Sequence, residues 1–267
     1  MVAPLWFCKR WRGRLCLANT LADGGADRAA NPWQSLVEEM GQTNSQVKSR
    51  QRVTEYGEVF TSAEIVNAML DLVKHETQRI DSRFLEPACG TGNFLEEILR
   101  RKLEVVVKRY RRSQLEFERN LVHAVSSLYG IDILRDNVEA CRKRLFEVAD
   151  ECYSSLFKRK AKAACRRAVQ YILGKNIIWG DALELRTVSH PPQLIIFAEW
   201  SFPFHNNLIK RRDFVFAELL NAEPDDLLRA GGRSAYLSDT GKPVFIPTET
   251  RSYPLVHFLK VAEAYDN

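Results

Sequence analysis

The hydrophobic pattern between residues 61 and 200 changes repeatedly between helical and strand-like spacing. Thr61 and Glu64 have the spacing of a capping box at the start of a helix. The apolar face that follows consists of Ile65, Met69, Leu72 and Val73. Apolar residues also recur every three or four positions over residues 93–111 and 135–150, which predicts two further helices.

Short apolar runs between these helices predict strands. They are Arg83–Glu86, Leu128–Asp132, Asn176–Trp179 and Leu194–Phe197. Strands that alternate with helices of ten or more residues indicate βαβ units. We therefore predict an α/β fold with one doubly wound, mostly parallel sheet. After residue 205 the pattern weakens, and it indicates only a strand at 242–247 and a short helix at 255–264.

The length of 267 residues suits one sizeable core. Residues 1–50 lack sustained periodicity and are predicted to be a poorly ordered leader. The predicted domain spans residues 51–205, and residues 206–267 form a short carboxyl-terminal appendage. That appendage is smaller than the roughly 100 residues of a typical separate domain.

Composition narrows the class of protein. A chain with 45% hydrophobic and 27% charged residues is not wholly disordered. No apolar run approaches the roughly 20 residues that cross a bilayer, and basic residues interrupt the apolar stretch at the amino terminus. The six cysteines form no CxxC pair, so no zinc site or disulfide framework is predicted. We expect a soluble, cytoplasmic protein with reduced thiols and no membrane partner.

Positive charge is concentrated in two segments, although the formal net charge is only +5. Residues 100–112 contain seven basic residues and one acid, and residues 158–167 contain six basic residues and no acid. Two interpretations stay open. Each segment is either a solvated helix face or a surface for a polyanion, which releases counterions when its phosphates are neutralised.

Three predicted strands end in residues suited to a small ligand. The first runs into residues 86–92 (EPACGTG), the second ends at Asp132, and the third ends at Gly180 and Asp181. Ligands of open α/β sheets bind at the carboxyl ends of the strands. The glycines allow close approach to the backbone, and the two acids can accept hydrogen bonds from ribose hydroxyls and from an adenine amine.

A nicotinamide dinucleotide is the less favoured ligand. Its G-x-G-x-x-G pattern needs a third glycine where this chain has Leu95. Glu86 would also repel a phosphate at the loop. A carboxylate there suits a ligand with an ammonium group and no phosphate, such as S-adenosylmethionine.

Four segments stand in a recognisable order: residues 57–61 (GEVFT), 84–95 (FLEPACGTGNFL), 129–133 (YGIDI) and 176–183 (NIIWGDAL). They resemble motifs X, I, II and III of the amino DNA methyltransferases, in the gamma arrangement that places motif X first. The likeness is strongest to the adenine-N6 modification subunits of restriction systems. It implies the Rossmann-like fold of S-adenosylmethionine-dependent methyltransferases.

The resemblance implies a cofactor-binding role for ten residues. The methionine part of S-adenosylmethionine would contact Phe60 and Thr61. Its amino-acid end would be lined by Glu86, Ala88, Gly90 and Gly92. Asp132 would accept hydrogen bonds from the ribose, and Ile133 would lie against the adenine ring. Asp181 would bind the adenine amine, and Ala182 would supply a backbone contact.

The catalytic motif IV of that family, (Asn/Asp/Ser)-Pro-Pro-(Tyr/Phe), is degenerate here. In the family it follows the fourth strand, holds the target amine and stacks on a flipped-out base. The one Pro-Pro pair, Pro191-Pro192, lacks the polar residue and the aromatic. Residues 201–204 (SFPF) stand in the expected place, with Phe202 for the first proline. The predicted catalytic residues are Ser201, Pro203 and Phe204.

The resemblance implies a site-specific, restriction-modification DNA methyltransferase that needs S-adenosylmethionine and no metal. Adenine-N6 is the expected target, while cytosine-N4 stays open because both reactions methylate an exocyclic amine. The alternative is a catalytically impaired subunit that binds cofactor and DNA or a partner without methyl transfer. Because the appendage is too short for target recognition, a specificity subunit is an expected partner besides DNA.

Overall fold

The computed structural model describes residues 61–204, 206–220, 236–237, 243–244 and 249–265; the predicted leader and Phe60 lie outside this part of the chain. The described α-helices are α1 (Ala63–Asp71), α2 (Lys74–Thr77), α3 (Asn93–Tyr110), α4 (Gln114–Ser126), α5 (Arg135–Phe157), α6 (Ala163–Asn176), α7 (Phe216–Leu220) and α8 (Val261–Ala264). Two 3₁₀-helices span Lys158–Lys160 and Phe258–Lys260. The described strands are β1 (Phe84–Glu86), β2 (Leu128–Asp132), β3 (Ile177–Asp181), β4 (Arg186–Thr187), β5 (Ile196–Ser201), β6 (Leu208–Val215), β7 (Tyr236–Leu237), β8 (Pro243–Val244), β9 (Arg251–Ser252) and β10 (Val256–His257).

The first sheet has the strand order β1–β2–β3–β4. Strands β1, β2 and β3 are parallel, with Glu86 opposite Gly130 and Asp132 opposite Trp179. Strand β4 returns antiparallel beside β3. Helices α3 and α5 follow β1 and β2 directly, as βαβ connections require. The predicted α/β class is thus confirmed, with a mixed sheet that contains three parallel strands.

Side chains of β1 and β2 alternate between two cores, as the two-residue period of a strand dictates. Phe84 and Leu128 join a large core with the apolar sides of α3, α4, α5 and α6. Leu85 and Tyr129 point to a smaller core with Phe197. Burial on both faces explains why these strands appear in the sequence as continuous apolar runs.

Two helix starts differ from the sequence prediction. The residue that caps α1 is Ser62, whose Oγ accepts from Ile65 N at 3.5 Å, and not Thr61. Helix α4 was not predicted at all, although Ser113 and Glu116 form the same kind of capping signal. The Oγ of Ser113 accepts from the backbone N–H of Glu116 at 3.5 Å.

Strand β5 runs opposite to the parallel strands and belongs to a second sheet. It pairs antiparallel with β6, which pairs in turn with β10 and β9. Its start lies near the carboxyl end of β3, since Ile195 N donates to Leu185 O at 3.0 Å. Its end lies at the amino ends of the first sheet, because the indole of Trp200 donates to Asn176, the residue before β3, at 2.8 Å. Local periodicity carries no information about this direction.

The predicted boundary after residue 205 falls between two paired strands, and therefore does not separate two packed units. Trp200 lies opposite Arg211 in the β5–β6 pair. Phe258 and Val261, near the end of the chain, lie in the same core as Phe84 and Leu128. The described part of residues 206–267 thus completes the main core. None of the helices described is long and apolar enough to cross a bilayer.

Candidate functional site

The glycine loop joins β1 to α3 in a conformation that requires glycine. Gly90 and Gly92 have φ of 52° and 90°, in the left-handed region that favours residues without a Cβ. A Cβ built on Gly92 would lie 2.7 Å from Cys141 Sγ. The loop is tied to β2 by a hydrogen bond from Cys89 N to Ile131 O at 2.9 Å. These constraints bring the loop backbone against α5 and leave no room there for a side chain.

The carboxylate of Asp132 organises the junction of β2, the glycine loop and α5. Its Oδ2 accepts from Gly90 N at 2.8 Å. Its Oδ1 accepts from Leu134 N at 2.8 Å and from Asn137 Nδ2 at 3.3 Å. Asn137, not singled out from the sequence, is therefore part of the candidate site. A ribose hydroxyl that binds Asp132 would share this carboxylate with the loop amide.

Asp181 forms a turn at the neighbouring strand end. Its Oδ1 accepts from the backbone N–H groups of Leu183 at 2.8 Å and Glu184 at 3.1 Å. Beside it, the Trp179 indole donates to Ile133 O at 2.9 Å. The side chains of Ile133 and Leu183 are 41% and 84% exposed, so both present apolar surface beside these strand ends. A flat apolar ligand could cover them.

Glu86 ends β1 and is almost completely buried beneath the loop. Burial raises the pKa of its carboxyl to about 8, and a hydrogen bond from the Ala88 backbone opposes part of that rise. A buried carboxyl with a raised pKa favours a proton, or a cation brought by a ligand, close to it. Contact with Cys141 and burial raise the pKa of the Cys89 thiol, which disfavours the nucleophilic thiolate.

Replacing Glu86 with glutamine is expected to flatten the dependence of stability on pH between about pH 5 and 8. The folded carboxyl keeps its proton up to a pKa of about 8, whereas the unfolded one ionises near 4.5. The free energy of unfolding of the wild type should therefore fall as the pH rises, by up to about 1.4 kcal/mol per pH unit. Urea denaturation at several pH values measures this slope. Glu64→Gln, on the exposed side of α1, is the control, and equal slopes for wild type and Glu86→Gln would contradict the assignment.

A second layer of polar contacts fixes the start of α3. Asn93 Nδ2 donates to Thr61 O at 3.1 Å, which places the predicted cofactor residue Thr61 beside the loop. Arg144 on α5 donates to Asn93 Oδ1 at 2.5 Å and pairs with Glu96 at 2.8 Å. Arg144 was not predicted from the sequence, because nothing local indicates that its turn of α5 faces the loop.

The predicted catalytic residues lie elsewhere. Ser201 ends β5 opposite Lys210, and the ring centroid of Phe202 lies 4.7 Å from that of His123 on α4. The carbonyl of Phe204 accepts from Arg119, also on α4, at 3.5 Å. Helix α4 leads into the amino end of β2, whereas the glycine loop lies at the carboxyl ends of the strands.

A five-residue strand such as β2 spans roughly 16 Å, whereas reacting atoms must approach to about 3–3.5 Å. The structure therefore brings Glu86, Ala88, Gly90, Gly92, Asp132, Ile133, Asp181, Ala182 and Thr61 to one edge of the sheet. Ser201, Pro203 and Phe204 lie at the other edge. Their catalytic roles stay predictions that this arrangement does not support.

Over the described residues, no group of three or more His, Cys, Asp or Glu side chains could hold a metal ion. A scan of the sequence against protein-family models found no match. Searches of curated proteins and of solved structures likewise found none.

Proposed function

We propose that the protein binds S-adenosylmethionine at the carboxyl edge of its first sheet, as a methyltransferase-like subunit. The observation that carries this proposal is the juxtaposition of Gly90 and Asp132, joined by a hydrogen bond of 2.8 Å. That contact unites the glycine loop of motif I with the acid of motif II. In this reading, β1, β2 and β3 are the cofactor-binding half of a Rossmann-like sheet.

The residues at this edge fit the three chemical parts of S-adenosylmethionine. A buried carboxyl at Glu86 suits the ammonium group of the methionine end. Asp132 and Asp181 offer carboxylate oxygens for the ribose and the adenine amine. The exposed side chain of Ile133 offers apolar contact for the adenine ring. Leu95 stands where a dinucleotide-binding loop needs its third glycine, which favours a cofactor without phosphate.

The same geometry favours the impaired subunit over the active adenine-N6 methyltransferase. S-adenosylmethionine supplies an electrophilic methyl group, which an amine can attack only when it is held beside the cofactor. Ser201 and Phe204 lie at the opposite edge of the sheet from Asp132. We therefore propose that residues 201–204 do not present a target base. DNA and a specificity subunit remain the partners that the resemblance implies.

The test is a calorimetric titration of the full chain with S-adenosylmethionine. We expect binding by the wild type and at least tenfold weaker binding by Asp132→Asn, or about 1.4 kcal/mol. The amide would turn a donor toward Gly90 N, which is itself a donor. Since Asp132→Asn also weakens the loop, Ile133→Ser serves as a second variant, which replaces a half-exposed apolar side chain and leaves the hydrogen bonds of Asp132 in place. Its affinity should fall about fivefold, as expected for one partly buried side chain.

Asp71→Asn, on the exposed side of α1, is the matched acid-to-amide control and should bind like the wild type. A folded wild type that does not bind S-adenosylmethionine would overturn the proposal. A methyl-transfer assay on DNA with the wild type and Ser201→Ala distinguishes the impaired subunit from an active methyltransferase. Transfer that Ser201→Ala abolishes would favour the enzyme and contradict our placement of residues 201–204 outside the site.

A further inference from the structure

The two basic segments divide into cations that are already paired and cations that are not. Arg100 and Arg101 form ion pairs with Glu96, Glu97 and Asp71. Lys102 is buried, with its Nζ donating to Ile80 O at 3.1 Å and to Ser127 Oγ at 2.7 Å. In the second segment, Lys162, Arg166 and Arg167 are paired with Glu118, Asp150 and Glu263. Apart from Arg100, whose pair with Glu96 lies within α3, these side chains connect different segments of the fold.

The remaining cations are exposed and have no acidic partner within 4.0 Å among the described residues. They comprise Lys108, Arg109, Arg111 and Arg112 in the first segment and Lys158, Arg159 and Lys160 in the second. Glu104 and Glu151, the exposed acids on the preceding turns of α3 and α5, form no ion pair with them. We call these seven residues the basic end.

Hydrogen bonds hold the two halves of the basic end next to each other. Gln114, two residues after Arg112, donates from Nε2 to Lys160 O at 2.7 Å. Gln114 also donates to the hydroxyl of Tyr153 at 3.2 Å, and that hydroxyl accepts from Lys162 N at 2.9 Å. The turn between α3 and α4 thus lies directly against the 3₁₀-helix Lys158–Lys160.

Helix dipoles do not account for all of this concentration of charge. Cations at the last turn of α3 interact favourably with the negative end of that helix, and Lys158, the C-cap residue of α5, does the same at the end of α5. Arg159 and Lys160 lie between that end and the positive end of α6, whose first turn contains no acid. The seven like charges repel one another, and a bound polyanion would remove that cost.

We propose that the basic end binds the phosphate backbone of duplex DNA without reading its sequence. A DNA site is favoured over an anionic membrane because the neighbouring apolar side chains project little. Leu115 and Leu156 are only 39% and 36% exposed, whereas peripheral membrane helices insert large apolar side chains. Lysine and arginine form the exposed surface, as phosphate contacts require.

This surface lies far from the proposed cofactor site. Helix α3 starts at the glycine loop and has 18 residues, so its last turn lies roughly 25 Å from that loop. The proposal therefore does not depend on cofactor binding. It also means that DNA held at the basic end is not delivered to the glycine loop of the same molecule.

The test is fluorescence anisotropy of a labelled 20-base-pair duplex of arbitrary sequence with the full chain, between 50 and 200 mM salt. The variant Arg111→Ala/Arg112→Ala/Arg159→Ala removes three unpaired cations and spares Lys158, whose φ is 48°. Its affinity at 50 mM salt should fall at least tenfold. The slope of log K against log[salt] should become shallower by about 2–3, since each lost phosphate contact removes about 0.9.

The matched control is Lys74→Ala/Lys143→Ala/Arg251→Ala, which removes three exposed cations elsewhere on α2, α5 and β9. It should keep most of the wild-type affinity and slope. Equal loss in both variants would mean that net charge alone drives binding and would overturn the proposal. Failure of the wild type to bind DNA would also overturn the proposal. The same holds if the wild type binds vesicles with 30% phosphatidylserine, and not DNA, through these three arginines.

The same preparations are titrated with S-adenosylmethionine. Both triple variants should bind it like the wild type, because none of the six residues contacts the carboxyl edge. Loss of DNA binding with retained cofactor binding therefore tests the basic end alone. Loss of cofactor binding in every preparation would count only against the proposed function.

Discussion

Replacing Gly92 with alanine should lower the free energy of unfolding by about 2–4 kcal/mol, since overpacking and an unfavourable backbone conformation act together. It should also abolish binding of S-adenosylmethionine. The backbone at Gly92 has φ of 90°, and the new Cβ would lie 2.7 Å from Cys141 Sγ. Either α5 or the loop must shift, and Asp132 accepts hydrogen bonds from both, through Asn137 and Gly90. Urea denaturation and calorimetric titration measure the two effects.

Gly174→Ala is the matched control for this prediction. Gly174 lies within α6, and a Cβ there would meet nothing within 4 Å. Alanine is better than glycine in a helix, so this variant should gain about 0.5–1 kcal/mol. Combining Gly92→Ala with Cys141→Ala separates the clash from the backbone strain, because only the clash is relieved. A Gly92→Ala protein as stable as the wild type would show that the loop geometry is not required.

The second large effect is expected at Asn176, which connects the two sheets. Its Nδ2 donates to Ser126 O at 3.2 Å and to Leu128 O at 2.9 Å, and its Oδ1 accepts from the Trp200 indole at 2.8 Å. Asn176→Ala leaves three buried polar groups without their partner. We expect the free energy of unfolding to fall by about 3 kcal/mol, as measured by urea denaturation.

Trp200→Phe isolates one of these hydrogen bonds, because it removes the indole N–H and keeps most of the apolar ring. A double-mutant cycle of Asn176→Ala and Trp200→Phe should give a coupling of about 1 kcal/mol. Additive losses would mean that the indole contact contributes nothing, and would contradict the role of Asn176 as the link to β5.

The sequence predicted correctly those features that depend on residues close together along the chain. Pro87 and the two glycines mark the end of β1, and the run ending at Asp132 marks β2 with the bounds that the structure has. The capping signal of Ser113 and Glu116 was present as well and would have located α4. For the candidate site, parallel pairing sufficed to predict that strand ends converge, which placed Glu86 and Asp132 at one edge.

The features that the sequence did not predict depend on contacts between distant segments, above all on which strands pair. The apolar run at 194–197 fits a parallel strand and an antiparallel one equally well, since both are buried. In the structure, β5 starts later, at Ile196, and runs antiparallel to β6. That single reversal moves Ser201 from the expected edge to the opposite one. Asn137 and Arg144 also escaped prediction, because their roles come from contacts between separate segments.

The closure of the core by the end of the chain has a consequence for synthesis on the ribosome. Trp200, Phe258 and Val261 pack in the same core as Phe84 and Leu128, although up to 177 residues separate them in sequence, from 84 to 261. The helical layer and the parallel strands are translated first and can begin to pack while this part of the core is still missing. Until Phe258 emerges, the nascent chain exposes an apolar surface of the kind that chaperones bind.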